Sequence, residues 1–243
     1  MTSTLDQSIH FETLLPGSAE AAYAWHERPG ALERLTPPWE NVRILSRDAK
    51  IQDGARVEVH VRIGPLRKSW IAEHYGTEPG RCFRDRQLGG PFALWEHTHT
   101  MTAADGGMSK LEDDIVYRLP FGRIGLWFGG SFVRSKLERM FRYRHRLTKA
   151  DLAAHDRFQE SHGRLKVLVS GAGGLVGASL CPFLTTGGHE VVRLRREKSV
   201  GDDRDATWDV AAKRIDADKL EGLDAVVHLA GENIAGGRWN ATR

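Results

Sequence analysis

The chain is poor in cysteine: Cys82 and Cys181 are the only two. They fall in different candidate domains and neither belongs to a CxxC or Cys/His ligand spacing, so a disulfide framework and a structural zinc site are excluded as organising principles. Long apolar runs are missing too, none reaching the roughly 18 residues of a membrane span. Met1 to Gln7 has no basic start followed by an apolar core, so it does not read as a secretory signal. A cytoplasmic protein with no membrane span is the expectation. Charge of one sign is also lacking, because 35 Lys and Arg oppose 32 Asp and Glu for a formal +3, and that balance implies no nucleic-acid partner. What remains is ordinary globular composition, 40% hydrophobic over 243 residues, enough to bury two cores.

Up to about Leu147 the pattern is of short strands interrupted by helix. Ile9 to Leu15 alternates apolar and polar; Pro16-Gly17-Ser18 ends it and caps a helix from Ala19 to His26, and a second short helix runs from Gly30 to Leu35. Strand-like runs follow at Val42 to Leu45, Arg56 to Ile63, Lys68 to Gly76, Arg81 to Gln87, Leu94 to Ala103 and Lys110 to Arg118. Glycine- and proline-bearing turns separate them, which predicts an antiparallel meander. After Gly129-Gly130 the apolar period changes: Phe132, Val133, Leu137, Met140, Phe141 and Leu147 recur at helical spacing. A strand, two small helices, a run of antiparallel strands and a long closing helix describe an α+β domain whose curved sheet wraps the last helix.

That order, with phrases such as Gly90-Pro91-Phe92-Ala93-Leu94-Trp95-Glu96-His97, resembles the START-like, helix-grip superfamily that includes polyketide cyclases and lipid-binding coenzyme Q partner proteins. The resemblance covers roughly Ile9 to Leu152 and implies a hydrophobic small molecule as a partner. Trp25, Trp39, Trp70, Trp95 and Trp127 all lie here, as ligand-cavity lining or as plain core. His60, His74, His97 and His99 sit at alternating strand positions, but without a carboxylate or Cys spacing to complete a site they read as polar-face or cavity histidines, and no metal is expected. The basic face of Arg134 to Lys149 reads as the solvated side of a structural helix. Residues 153–164 are polar and read as a linker, or as one that begins in helix, between a domain at 1–152 and another at 165–243.

Leu165-Lys166-Val167-Leu168-Val169 is a β-branched run leading into Ser170-Gly171-Ala172-Gly173-Gly174-Leu175-Val176-Gly177. In a strand-to-helix turn the first glycine permits the tight turn, the second lets backbone N–H groups approach a pyrophosphate, and the third lets the helix pack on the strand. A helix over Leu175 to Thr185, a second strand at His189 to Leu194, a third near Thr207-Trp208-Asp209, a helical piece at Ala217 to Leu220 and a fourth strand at Asp224 to Gly231 complete the pattern. The Asp-x-Val-x-His-x-Ala of that last strand resembles extended short-chain dehydrogenase/reductases. Leu229-Ala230-Gly231-Glu232-Asn233-Ile234 followed by Gly237-Arg238-Trp239 narrows this to the nucleoside-diphosphate-sugar epimerase family in which a START-like domain precedes the Rossmann domain.

The fold class implied is therefore an α+β helix-grip domain followed by an incomplete α/β Rossmann domain with a parallel sheet. The cofactor-binding residues implied are Gly171, Gly173, Gly174, Leu175, Val176, Gly177, Leu229, Ala230 and Gly231. Arg195 and Arg196 follow the second strand, where an acid would accept from the ribose hydroxyls of NAD; guanidinium groups suit a 2′-phosphate, so NADP is favoured over NAD, with solvated arginines as the alternative and Glu197 nearby as a complication.

The family's catalytic Tyr with Lys four residues later is absent: Tyr23, Tyr75, Tyr117 and Tyr143 all precede the glycine loop, and none has Lys at that spacing. Six βα units at roughly 30 residues each need about 180, and far fewer follow Arg164, so a truncated Rossmann portion is expected, with poor solubility or dimerisation through its open edge. The functions in view are an NAD(P)-dependent epimerase or oxidoreductase represented by its cofactor-binding half, and a carrier module for a hydrophobic small molecule with a non-catalytic Rossmann remnant.

Overall fold

The computed structural model describes residues 4–63, 66–196 and 205–231. The chain divides into two compact units, Met1–Ser161 and His162–Arg243.

The first unit opens with β1 (Gln7–Leu15). Ser18 then caps α1 (Ala19–Glu27), its hydroxyl accepting from the Ala21 amide at 3.2 Å. Gly30, at φ +100°, turns the chain into α2 (Ala31–Leu35). Six strands follow: β2 (Val42–Arg47), β3 (Arg56–Ile63), β4 (Leu66–Glu78), β5 (Cys82–Gly89), β6 (Leu94–Ala103) and β7 (Ser109–Arg118). They form a seven-stranded antiparallel sheet in the order β1-β7-β6-β5-β4-β3-β2, the expected meander with the first strand returned beside the last. The long helix α3 (Gly122–His162) packs on the inner face, where Phe141 stacks on Phe11 of β1 at 5.4 Å between centroids.

Alternation along the strands decides what meets α3. The inward residues of β6 read Trp95, His97, His99, Met101, and those of β7 read Tyr117, Ile115, Asp113, Leu111, all nine-tenths or more buried. The ends of this series belong to two apolar clusters. One contains Leu15, Trp25, Phe83, Met101, Leu111 and Leu152; the other contains Ile9, Trp95, Ile115, Tyr117, Leu137 and Phe141. The middle is polar. The buried stripe of α3 matches it, reading Leu137, Phe141, His145, Thr148, Leu152, one residue per turn. Arg34 of α2 anchors the same helix, its Nε donating to Asp151 Oδ2 at 2.8 Å.

Three expectations are corrected. Residues 153–162, read as a linker, are the last turns of α3, because a polar surface disfavours burial but does not disfavour helix. Gly129 and Gly130 lie inside the helix rather than before it. Phe132, read as part of the inward stripe, is 72% exposed, since the packed face runs through Val133, Leu137, Met140 and Phe141. Trp25 and Trp95 are buried core, whereas Trp39 and Trp127 are exposed. Of the helix's basic residues, Arg134 and Arg142 pair with Glu138, and Lys136 pairs with Glu40. Among the described residues no helix is long and apolar enough to cross a membrane.

The second unit contains β8 (Lys166–Ser170), α4 (Gly177–Thr186), β9 (Glu190–Arg195), β10 (Ala206–Asp209), β11 (Arg214–Ile215) and β12 (Ala225–His228), with a 3₁₀ turn at Ala217–Leu220. The sheet order is β11-β10-β9-β8-β12. β10, β9, β8 and β12 are parallel, and the two-residue β11 runs antiparallel to β10. Val167, Leu168 and Val169 of β8 are buried on both faces, as a central parallel strand requires. The chain winds outward through β9 and β10, then returns to the other side of β8 as β12. That reversal opens a crevice at the carboxyl ends of β8 and β12, where open α/β sheets hold ligands.

Phe141 is fully buried against both the sheet and the polar group beside it. Phe141→Ala is expected to lower the urea unfolding free energy of the first unit by about 3–5 kcal/mol. Arg142→Ala, one position along the helix and facing solvent, is expected to change it by less than about 0.5 kcal/mol.

Candidate functional site

At the switch point the glycines separate by role. Gly171 has φ +67°, and a Cβ there would lie 2.7 Å from the Leu229 carbonyl and 2.8 Å from the Ala230 amide nitrogen. Gly177 opens α4, and a Cβ on it would meet the Gly171 carbonyl oxygen at 2.4 Å and Ala172 Cα at 2.7 Å. Both are required by the backbone itself: the turn must pass the end of β12, and the helix must sit on the turn. Gly174 is tight against the Gly171 oxygen at 3.2 Å, while a Cβ on Gly173 would meet nothing within 4 Å. Bare space therefore lies over the middle of the loop. Leu175 and Val176 stand exposed at its tip, and no side chain caps α4, whose first turn carries no acid. An uncapped helix start with no competing carboxylate suits an anion.

Ser170, the last residue of β8, is buried and ties the two sides of the crevice together. Its Oγ accepts from the amides of Leu229 at 3.1 Å and Ala230 at 3.2 Å, and lies 2.7 Å from His228 Nδ1. With two N–H groups donating to it, the hydroxyl donates its own proton to the imidazole. Leu229 and Ala230, predicted as cofactor-side residues, are thus held beside Gly171. Gly231 follows them, with open space at its Cβ position. Glu232-Asn233-Ile234 and Gly237-Arg238-Trp239 lie outside the described residues, as does Glu197.

At the end of β9 the arginines are not simply solvated. Asp205, with 2% of its side chain exposed, lies 2.6 Å from Arg193 Nε through one oxygen and 2.6 Å from Arg195 Nε through the other. Arg196 is exposed. Asp205 went unread in the sequence because it sits ten positions after the strand it neutralises; only the β9–β10 pairing brings it there. Arg193 and Arg195 thus share one carboxylate, and Arg196 follows them exposed, so the two paired arginines keep a positive balance over Asp205.

The interior of the first unit holds a second constellation. Register places Asp85 opposite His97, and His99 opposite Asp113. His97 lies between the two acids, with Nδ1 3.1 Å from Asp85 Oδ2 and Nε2 3.2 Å from Asp113 Oδ1. His99 does the same in reverse, with Nδ1 2.7 Å from Asp113 Oδ1 and Nε2 3.7 Å from Asp85 Oδ2. Trp95 Nε1 donates to Asp85 Oδ1 at 3.1 Å. His145 of α3 reaches Asp113 Oδ2 at 2.9 Å and Thr13 Oγ1 at 3.0 Å.

Burial pushes both carboxyls up, but the histidines beside them outweigh it and hold Asp85 and Asp113 far below the ordinary carboxylate range. Burial likewise opposes a charge on His97, yet Asp85 and then Asp113 raise its pKa to about 9. His26, whose Nδ1 lies 2.8 Å from the Ala22 carbonyl oxygen, goes the other way. Burial and then the neighbouring His99 push its pKa down to about 4. The carboxylates missing from the sequence reading of the histidines are therefore present, supplied by neighbouring strands; His60, grouped with them in that reading, stands apart in β3.

Two family models match the chain. Residues 15–142 match polyketide cyclase / dehydrase and lipid transport, and residues 167–243 match the NAD dependent epimerase/dehydratase family. The human epimerase family protein SDR39U1 is 41% identical over 80 residues, covering 32% of this chain and 25% of that protein. Epimerase family protein Mb2239 of Mycobacterium bovis is 34% identical over 74 residues, 30% of this chain and 24% of that protein. The chain thus spans about a quarter of the length of these curated relatives. Among solved structures, the nucleoside-diphosphate sugar epimerase from Corynebacterium glutamicum superposes with a TM-score of 0.74 at 30% identity, over 92% of this chain and 46% of that one. The Zhui aromatase/cyclase from Streptomyces sp. R1128 superposes at 0.52 with 15% identity, over 63% of this chain and 97% of that one, a likeness of fold. Through residues 15–142, just over half of its length, the chain belongs to the polyketide cyclase / dehydrase and lipid transport family, and a segment similar to NAD dependent epimerases follows.

Proposed function

We propose that the His162–Arg243 unit is the cofactor-binding half of an NAD(P)-dependent epimerase or oxidoreductase of the extended short-chain type, and that it takes NADP in preference to NAD. The observation that carries this reading is the glycine turn. Gly171 and Gly177 bring the backbone of β8, α4 and the end of β12 into contact, and the loop between them is left bare over Gly173 beside an uncapped helix start. A pyrophosphate would be held there by backbone N–H groups and the positive end of α4. The bound nicotinamide supplies hydride transfer. This chain's residues bind and orient: Ser170 fixes Leu229 and Ala230 against the turn, and Asp205 sets the directions of Arg193 and Arg195. The preference for a 2′-phosphate rests on the positive balance of Arg193, Arg195 and Arg196 over Asp205.

The Tyr and Lys pair that would move the proton in such a reaction does not occur in these 243 residues, so the role assigned to the residues present is to bind and orient the dinucleotide. For the first unit, the match to a family whose description includes lipid transport supports a hydrophobic small molecule as the ligand class.

Calorimetric titration of the full chain with NADPH and NADH tests the reading. NADPH is expected to bind more tightly. The double variant Arg195→Ala/Arg196→Ala is expected to lose at least tenfold in NADPH affinity, as about 1.5–3 kcal/mol for hydrogen bonds to a charged group implies, with NADH affinity unchanged. Absence of binding by either nucleotide sinks the proposal, and equal losses for both would remove the NADP preference.

The glycines can be separated in the same protein. Gly171→Ala is expected to destabilise the second unit by roughly 1–3 kcal/mol, seen as faster amide exchange across Val167–Ser170. Gly173→Ala is expected to leave that exchange unchanged while weakening NADPH binding.

A further inference from the structure

We propose that Asp85, His97 and His99 form a binding site for one divalent transition-metal cation inside the first unit. Three ligand atoms, one from each residue, lie within 4.8 Å of one another, and two of the separations involved, 3.1 and 3.7 Å, bracket the roughly 3.3 Å edge of a tetrahedron with metal–ligand bonds near 2.0–2.1 Å. Two imidazoles and one carboxylate are a donor set suited to Zn²⁺ or Fe²⁺ and leave a coordination position open.

What lifts this above a chance grouping is the arrangement behind the ligands. A metal-bound histidine ordinarily gives its other ring N–H to a carboxylate, and a ligating carboxylate is itself hydrogen-bonded. With the metal on Asp85 Oδ2, His97 Nδ1 and His99 Nε2, the far nitrogens of both histidines face one atom, Asp113 Oδ1, at 3.2 and 2.7 Å. The other oxygen of Asp85 accepts from Trp95 Nε1, and Asp113 is steadied from behind by His145. Each ligand therefore has a group beside it that could orient it.

A second observation concerns the atoms behind the ligands. His97 Nε2, His99 Nδ1 and Asp113 Oδ1 are buried, lie close together, and none has a hydrogen bond of good geometry. Polar atoms of this kind are costly to bury unless satisfied. A cation that fixes the near nitrogens would re-aim the far ones at Asp113. Charge also closes, because one divalent ion with neutral imidazoles balances Asp85 and Asp113. His74, opposite Asp85 on β4, also has a buried Nδ1 without a partner.

The test uses the full, tag-free chain, stripped with chelator and titrated with Zn²⁺ alone against a competing chromogenic chelator, with elemental analysis after dialysis. One equivalent is expected to be retained. His97→Gln and His99→Gln are each expected to weaken binding at least 100-fold, and Asp113→Asn to weaken it by about 10–100-fold as an orienting carboxylate. His10→Gln, in the exposed group of His10, Glu12 and Glu112, is expected to change nothing. Should the buried variants fail to fold, Co²⁺ added to the unaltered chain is expected to give the intense visible bands of a four- or five-coordinate ion. No saturable Zn²⁺ binding, binding lost in His10→Gln but kept in His97→Gln, or only the weak bands of a six-coordinate surface ion would each overturn the proposal. None of these readouts involves NADPH, so they stand or fall apart from the dinucleotide reading.

Discussion

Two carboxylates buried on the inner face of a sheet must be compensated, and the first unit is arranged around that constraint. The effective cost of burying an ion is several kcal/mol even after relaxation, and Asp85 and Asp113 have 15% and 4% of their side chains exposed. Everything that touches them answers the charge: His97 and His99 from β6, His145 from α3, and the indole N–H of Trp95. The core splits into two apolar clusters because this polar layer crosses it. α3 follows suit, its inward stripe giving His145 and Thr148 to the layer and Phe141 and Leu152 to the clusters on either side. A fold that needed only an apolar seam between sheet and helix would be simpler to build from leucine. Keeping five ionisable groups there is the physical ground for reading the layer as a ligand site.

The second unit is governed by distance between backbones rather than by charge. At Gly171 and Gly177 a single added carbon would come within 2.4–2.8 Å of backbone atoms, contacts that no rotamer change relieves. Once the chain accepts those approaches, Ser170 can bridge to Leu229 and Ala230, and the loop between the glycines is left with its backbone exposed. The same close packing that makes the turn intolerant of side chains is what makes it accessible to a flat, charged ligand. Asp205 plays a comparable part at the end of β9, neutralising part of an arginine cluster while leaving an excess of positive charge.

Local periodicity carried much of the architecture. Alternation and turn residues placed all seven strands of the first sheet to within a few residues, and the β-branched run before Gly171 with its following landmarks placed the parallel strands of the second. Those signals are legible because they arise from neighbours in sequence: a strand shows its two faces every second residue, and a strand-to-helix turn needs its glycines in a fixed order. The end of α3 was less legible, since exposed polar residues suit a helix surface and a linker equally well. The partners of the histidines were not legible at all. His97 and His99 were visible as a same-face pair, but Asp85 and Asp113 lie 12 and 14 residues from their cross-strand partners, and nothing local distinguishes an inward aspartate from an outward one before the register is known.

The sequence by itself determined the two halves, the order of their elements, the family resemblance and the glycine turn, because each is written in residues close together along the chain. Tertiary structure alone decided which polar groups meet. Strand register joined Asp85, His97, His99 and Asp113, helix packing added His145, and parallel pairing of β9 with β10 delivered Asp205 to the arginines. Side chains far apart in sequence find one another through the geometry of sheets and helices, and their charges then settle which arrangement is stable.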